Sequence, residues 1–153
     1  KFNFERNGIL CCLRDLNDES GISQNDYDNI LAIHDYIINT TKYDTDNSDS
    51  KSSTAYGALI NHKAVCGGYA DAMALFLNKF NVPNFKIASN THVWNAVYID
   101  SAWLHLDLTW DDPVSSSGED TILHKFYLID TPSLEKYKIT DHEYDKTIYE
   151  ELS

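Results

Sequence analysis

Cysteine is scarce in this chain. There are three in 153 residues, and Cys11 and Cys12 are adjacent. Neighbouring cysteines are poorly placed to bridge each other, and an odd total without regular spacing is no disulfide framework. No CxxC pair is present either, which removes the usual zinc signature. Positive charge is also short: 12 Lys and Arg stand against 24 Asp and Glu, a net charge of −12. Phosphate would be repelled, which argues against nucleic acid as the main partner and disfavours anionic membrane surfaces. Long apolar runs are missing, so no membrane insertion is expected. There is no internal repeat, no linker that would split the chain, and nothing that calls for a cofactor.

What is present suits one globular domain. The chain is 42% hydrophobic and 12% aromatic, too apolar for disorder and long enough for a core. Residues 26–41 read as a helix: Ile30, Ile33 and Ile37, with Leu31, His34 and Ile38, recur at spacings of three and four, and Asp26 can cap the start. Residues 43–54 are rich in Asp, Ser, Thr and Asn and read as a flexible loop. Asp44, Asp46 and Ser48 begin like a calcium loop, but Asp49 and Ala55 stand where such a loop needs Gly and Glu.

Residues 66–80 read as a central helix. Ala70, Met73, Ala74, Leu77 and Phe80 form its apolar stripe, Asn81 its C-terminal cap, and Pro83 blocks continuation. Gly67 and Gly68 weaken the helix start and admit another backbone or a substrate. Strands follow at 85–89, 92–99 and 103–110, the last two forming a hairpin around Asp100-Ser101. A further strand is expected at 125–129, and Thr131-Pro132 should open a helix running to about Tyr137. Helices first and mainly antiparallel strands afterwards define an α+β class.

The chemistry concentrates in three segments. Ala64-Val65-Cys66-Gly67-Gly68 places a thiol at a helix start, where unpaired amides and the helix dipole favour a thiolate. The Cys66 amide is itself a candidate oxyanion donor. His92-Val93-Trp94-Asn95 offers a base, and Leu106-Asp107-Leu108 an acid in a strand, where Asp is depleted and needs a partner. A two-residue turn pairs Ile99 with Ala102 and puts His92 opposite Thr109. Asp107 is then a diagonal neighbour on the same face, roughly 7–8 Å away at the backbone. A one-residue slip would separate them.

Five other histidines compete for the role of base. His34 lies in the first helix and His62 too near Cys66. His105 shares the face of Asp107, while His124 and His142 sit in segments without a visible nucleophile. Trp94 and Trp110 suit either core or cleft. The same Cys, His and Asp also read as metal ligands, though three ligands at unrelated spacings are a poor zinc pattern.

Taken together, the run Ser53 to Leu59, the segments at Cys66 and His92, and Trp103 to Pro113 resemble the bacterial transglutaminase-like domain, a branch of the papain-like thiol enzymes. The resemblance covers about residues 27–142, leaving 1–26 as an N-terminal extension of a single domain spanning 1–153. It implies a papain-like, transglutaminase-core fold with the nucleophile helix packed on an antiparallel sheet. It implies Cys66 as nucleophile, His92 as general base and acid, and Asp107 as orienting acid, with Tyr56 as candidate second oxyanion donor.

Val93 stands where the family usually has Ala, and Ser101 where it has a turn Gly, which loosens the hairpin register. The reaction class implied is acyl transfer on a peptide-type amide of a protein or peptide substrate. Water as acceptor gives hydrolysis, the favoured outcome, and an amine gives cross-linking. A non-catalytic binding module is the rival class. Because the chain opens on Lys1 without a leader pattern, it is expected to be cut from a longer product. As such domains usually occur, that product is expected to be an extracellular or cell-surface bacterial protein.

Overall fold

The structure is a computed structural model, described for residues 25–114 and 121–153. The expected extension lies almost wholly outside the described residues, as do Cys11, Cys12 and the Ser115–Gly118 part of the later loop. The chain enters through helix α1 (Asn25–Thr40), one residue earlier than its pattern suggests, so Asp26 sits in the first turn and does not cap it. Ile30, Ile33, Ile37 and Ile38 are its buried face.

Two short strands, β1 (Lys42–Tyr43) and β2 (Lys63–Ala64), then pair in parallel. The loop expected from Tyr43 onward therefore begins one residue later, at Asp44. It is tied by its own first side chain: Asp44 Oδ1 accepts from the Ser48 amide at 3.1 Å and hydroxyl at 2.9 Å, and Oδ2 from the Asp49 amide at 3.0 Å. The carboxylate that began the calcium-like pattern is engaged in closing its own loop. A π-helical turn at Gly57–Asn61 leads on to β2.

Helix α2 (Cys66–Lys79) is the central element. Its buried face is broader than the expected stripe, because Tyr69, Ala72 and Phe76 join Ala70, Met73 and Leu77. That width follows from its position between α1 on one side and the sheet on the other. Its end follows a Schellman pattern. Asn81 takes φ 57°, its amide reaches the Asn78 carbonyl, and the Val82 amide returns to the Leu77 carbonyl at 2.9 Å.

At its start, Gly68 meets backbone directly. A Cβ there would lie 2.2 Å from the Ser52 carbonyl oxygen and 2.8 Å from the Ala64 Cβ. The Ser52 carbonyl also accepts the Val65 amide at 2.9 Å, so the loop cannot retreat without breaking that bond. Gly68→Ala should therefore lower stability by about 1–3 kcal/mol, the usual cost of overpacking. A thermal melt indistinguishable from wild type would refute this close packing.

The sheet is an antiparallel meander of β3 (Asn84–Ala88), β4 (Val93–Ile99) and β5 (Ala102–Leu106). Asp100 and Ser101 both take positive φ, 50° and 65°, the combination a tight two-residue turn needs. The turn pairs Ile99 with Ala102, the register expected, even with Ser in place of Gly. Val97, Ile99 and Leu106 face α2, whereas Trp94 and Ala96 face the C-terminal segment around Leu152.

Two expectations are corrected. Strand β5 ends at Leu106, because Asp107 leaves the ladder and caps the short helix α3 (Leu108–Asp111), its side chain accepting the Trp110 amide. Residues 125–129 make only one bridge to the sheet, Ile129 to His105, and no strand. Helix α4 (Thr131–Lys136) is capped by Asp130, whose carboxylate takes the Ser133 amide at 2.7 Å, with Pro132 in its first turn.

Candidate active site

Three elements meet where α2 begins. Cys66 is the first residue of α2, His92 immediately precedes β4, and Asp107 caps α3 just beyond β5. The His92 Nε2–H donates to Asp107 Oδ2 at 2.6 Å, which leaves Nδ1 for Cys66. His92 and Asp107 are buried, whereas Cys66 is half-buried and opens on a cleft of about 320 Å³. Tyr43, Trp110, Asp112 and Asp141 also line this cleft.

The electrostatics suit a thiolate. The hydrogen bond from His92 pulls the Cys66 thiol below its ordinary value. Burial opposes this, and the imidazolium charge and the Val93 and Gly67 amides assist it. Burial disfavours a charged His92, but its bonds to Asp107 and Cys66 outweigh that and push it up to about 9. Burial likewise raises Asp107, yet hydrogen bonds from His142 and His92 hold it below the usual carboxylate range. The arrangement favours a thiolate–imidazolium pair backed by a carboxylate.

The segment around His142 gave no sign of this role in the sequence. Its Nε2–H donates to the same Asp107 Oδ2 at 2.7 Å, so one carboxylate oxygen serves two imidazoles. The His142 ring also packs against Trp94, Trp110 and Phe126. No local pattern could have found it, because His142 lies 35 residues beyond Asp107 in a 3-10 turn.

The remaining histidines take other places. His105 is fully buried, accepts from Trp94 Nε1 at 3.0 Å and meets the Thr131 hydroxyl at 3.0 Å. Burial first, then the charge of His142, push it down to about 4, so it is a neutral structural residue. His62 ends the π-helical turn in a left-handed conformation. His34 and His124 lie together at a separate cluster.

Trp94 is core and Trp110 lines the cleft, so the two tryptophans divide between the roles open to them. Tyr56 begins the π-helical turn, is 56% exposed and is not among the cleft residues. The tyrosine on the cleft wall is Tyr43. Pairing of β1 with β2 sets it beside Ala64, two residues before Cys66, and its ring stacks with Tyr69 at 6.5 Å. Partial burial, then the negative charge of Cys66 and Asp141, raise its hydroxyl, which keeps it a hydrogen-bond donor.

His92, Asp107 and His142 also group three possible metal-ligand atoms within 4.8 Å of one another. All three residues are buried, and Asp107 Oδ2 accepts from both rings.

Residues 14–108 match the family model described as the Transglutaminase-like superfamily. Among solved structures, a crystal structure of a TGase aligns with 92% of this chain and 38% of its own, at 19% identity and a TM-score of 0.53. A candidate cysteine protease from Cytophaga hutchinsonii aligns over 69% of this chain and 37% of its own, at 18% identity and TM-score 0.48. Menin, described with its binding site for the Mixed Lineage Leukemia protein, aligns over 76% and 27%, at 14% identity and TM-score 0.45. The chain spans well under half the length of each. A search of the curated proteins finds no match.

Proposed function

The chain belongs to the Transglutaminase-like superfamily, and on that premise we propose that it is a thiol-dependent acyl-transfer enzyme acting on peptide-type amides, with Cys66 as nucleophile, His92 as general acid and base, and Asp107 as orienting acid. The observation that carries this reading is His92, held between the Cys66 thiol and the Asp107 carboxylate. A binding module has no need for that alignment.

The Cys66 thiolate attacks the amide carbonyl carbon. The new C–S bond gives a tetrahedral intermediate whose oxyanion is within the reach of the Cys66 amide, a donor that a helix start leaves unpaired. Tyr43, which also lines the cleft, is the side-chain donor. As the C–N bond breaks, His92 Nδ1 gives its proton to the leaving amine. Water then attacks the thioester carbon, His92 takes its proton, and C–S cleavage releases the acid and restores the thiolate. An amine in place of water gives transamidation. Hydrolysis is favoured because water is by far the more abundant acceptor at a thiol that opens on a cleft. The cleft rim bears Asp112 and Asp141 and the whole chain is acidic, which favours substrates with neutral or basic groups beside the scissile amide.

The test is the pH dependence of alkylation and turnover. Iodoacetamide at pH 6 should modify Cys66 much faster than Cys11 or Cys12, because its lowered pKa leaves more of it as thiolate. Turnover should fall on the acid side as Cys66 takes a proton and on the alkaline side near 9 as His92 loses one. Equal, slow labelling of all three cysteines would overturn the enzyme reading. A glutamine peptide with a labelled primary amine separates the acceptors: amine incorporation exceeding acid release would make transamidation the reaction.

A further inference from the structure

A second cluster is joined to α3 through Asp111 and shares no residue with the thiol site. His34 is fully buried in α1, yet each of its ring nitrogens meets a carboxylate. Nε2 is 3.0 Å from Asp111 Oδ2, and Nδ1 is 2.8 Å from Asp35 Oδ1. Asp111 is itself fixed, since its Oδ1 accepts the Phe126 amide at 3.0 Å. A second imidazole, His124, arrives from 89 residues further along and brings its Nε2 to 2.7 Å of the same Asp35 oxygen.

A neutral imidazole has one proton. Asp111, buried beside Nε2, claims it, and the Nδ1 lone pair then faces a carboxylate oxygen. Two acceptors in that contact need a cation between them, either a second proton or a metal ion. A second proton would satisfy His34 alone. A metal ion would satisfy His34 and engage the second imidazole as well. His34 Nδ1, Asp35 Oδ1 and His124 Nε2 all lie within 4.8 Å of one another. Asp35 and His124 are partly exposed, so an ion can reach them from solvent.

We propose that His34, Asp35 and His124 form a binding site for a divalent transition-metal ion of the zinc type, with Asp111 orienting His34 from behind. Two imidazoles and one carboxylate suit zinc or cobalt and are poor donors for calcium or magnesium. A carboxylate on the far nitrogen of a liganding histidine is the common support for such a site. Bound metal would tie α1 to the segment after the later loop and, through Asp111, to the short helix that Asp107 caps. The inference does not rest on the acyl-transfer reading.

The test uses the full chain, stripped with a chelator and titrated with Zn²⁺ against a chromophoric competitor, alongside thermal melts with and without Zn²⁺. Wild type should bind one ion and melt higher with it. Asp35→Asn and His124→Gln should each bind more than about tenfold more weakly and lose the metal-dependent rise. Cys66→Ala and His142→Gln should bind like wild type, which separates this cluster from the thiol site. Co²⁺ in place of Zn²⁺ should give visible bands without a thiolate charge-transfer band. No binding at micromolar Zn²⁺, or binding that survives in His124→Gln and disappears in Cys66→Ala, would overturn the proposal.

Discussion

Cys66→Ala should abolish turnover while the protein still folds. The sulfur is the only proposed nucleophile, so the expected loss is on the order of 10⁶-fold, leaving what binding and oxyanion donors supply. The fold should survive, because Cys66 is half-buried at a helix start and alanine is the best helix former. The substitution also removes two of the interactions that raise His92, the hydrogen bond and the charge of Cys66. His92 should therefore titrate below about 9 in the variant, which an NMR titration of its ring protons reads directly. Wild-type turnover in Cys66→Ala, or turnover that required added metal, would end the thiol mechanism. An unmoved His92 would show that Cys66 and His92 do not interact.

Substitutions at Asp107 should separate catalysis from stability. Asp107→Asn keeps the shape and the oxygen that caps α3. However, it presents an amide where His92 needs an anion, so a loss of about 10⁴-fold is expected by analogy with other triads, milder than Cys66→Ala. Asp107→Ala removes all three bonds of the carboxylate: His92 and His142 on Oδ2 and the Trp110 amide on Oδ1. Loss of the cap costs ~1 kcal/mol, and leaving buried imidazoles without an acceptor costs roughly 1–3 kcal/mol more.

The sign of the pH effect is fixed by the lowered pKa of Asp107. Its contribution is complete above the ordinary carboxylate value and is lost as pH falls through the lowered one. The gap in melting temperature between wild type and Asp107→Ala should accordingly narrow in acid. A gap that widened in acid, or an Asp107→Ala protein as stable as wild type at pH 7, would contradict the burial and bonding seen here.

Much of the site was legible because its parts are local. Val65-Cys66-Gly67-Gly68 marks a helix start. Asn81 and Pro83 mark its end. A two-residue turn at Asp100-Ser101 sets a register that brings His92 and Asp107 together. One local reading failed for an equally local reason. Asp107 resembled a strand acid with a partner, yet an Asp followed by Leu108-Thr109-Trp110 is also a helix cap, and the cap ended β5 there.

From its own sequence this chain determined its α+β class, the thiol at the head of a helix, and the pairing of its hairpin. These follow from interactions within a few residues, where helical spacing, pleat and turn geometry act directly. The tertiary structure alone decided that His142 and not His105 shares Asp107, that Tyr43 and not Tyr56 lines the cleft, and that His34 and His124 meet over Asp35. Those contacts join residues brought together only by packing α1, α2 and the C-terminal segment around the sheet. A side chain that finds its partner 35 or 89 residues away leaves no periodic trace in the residues between.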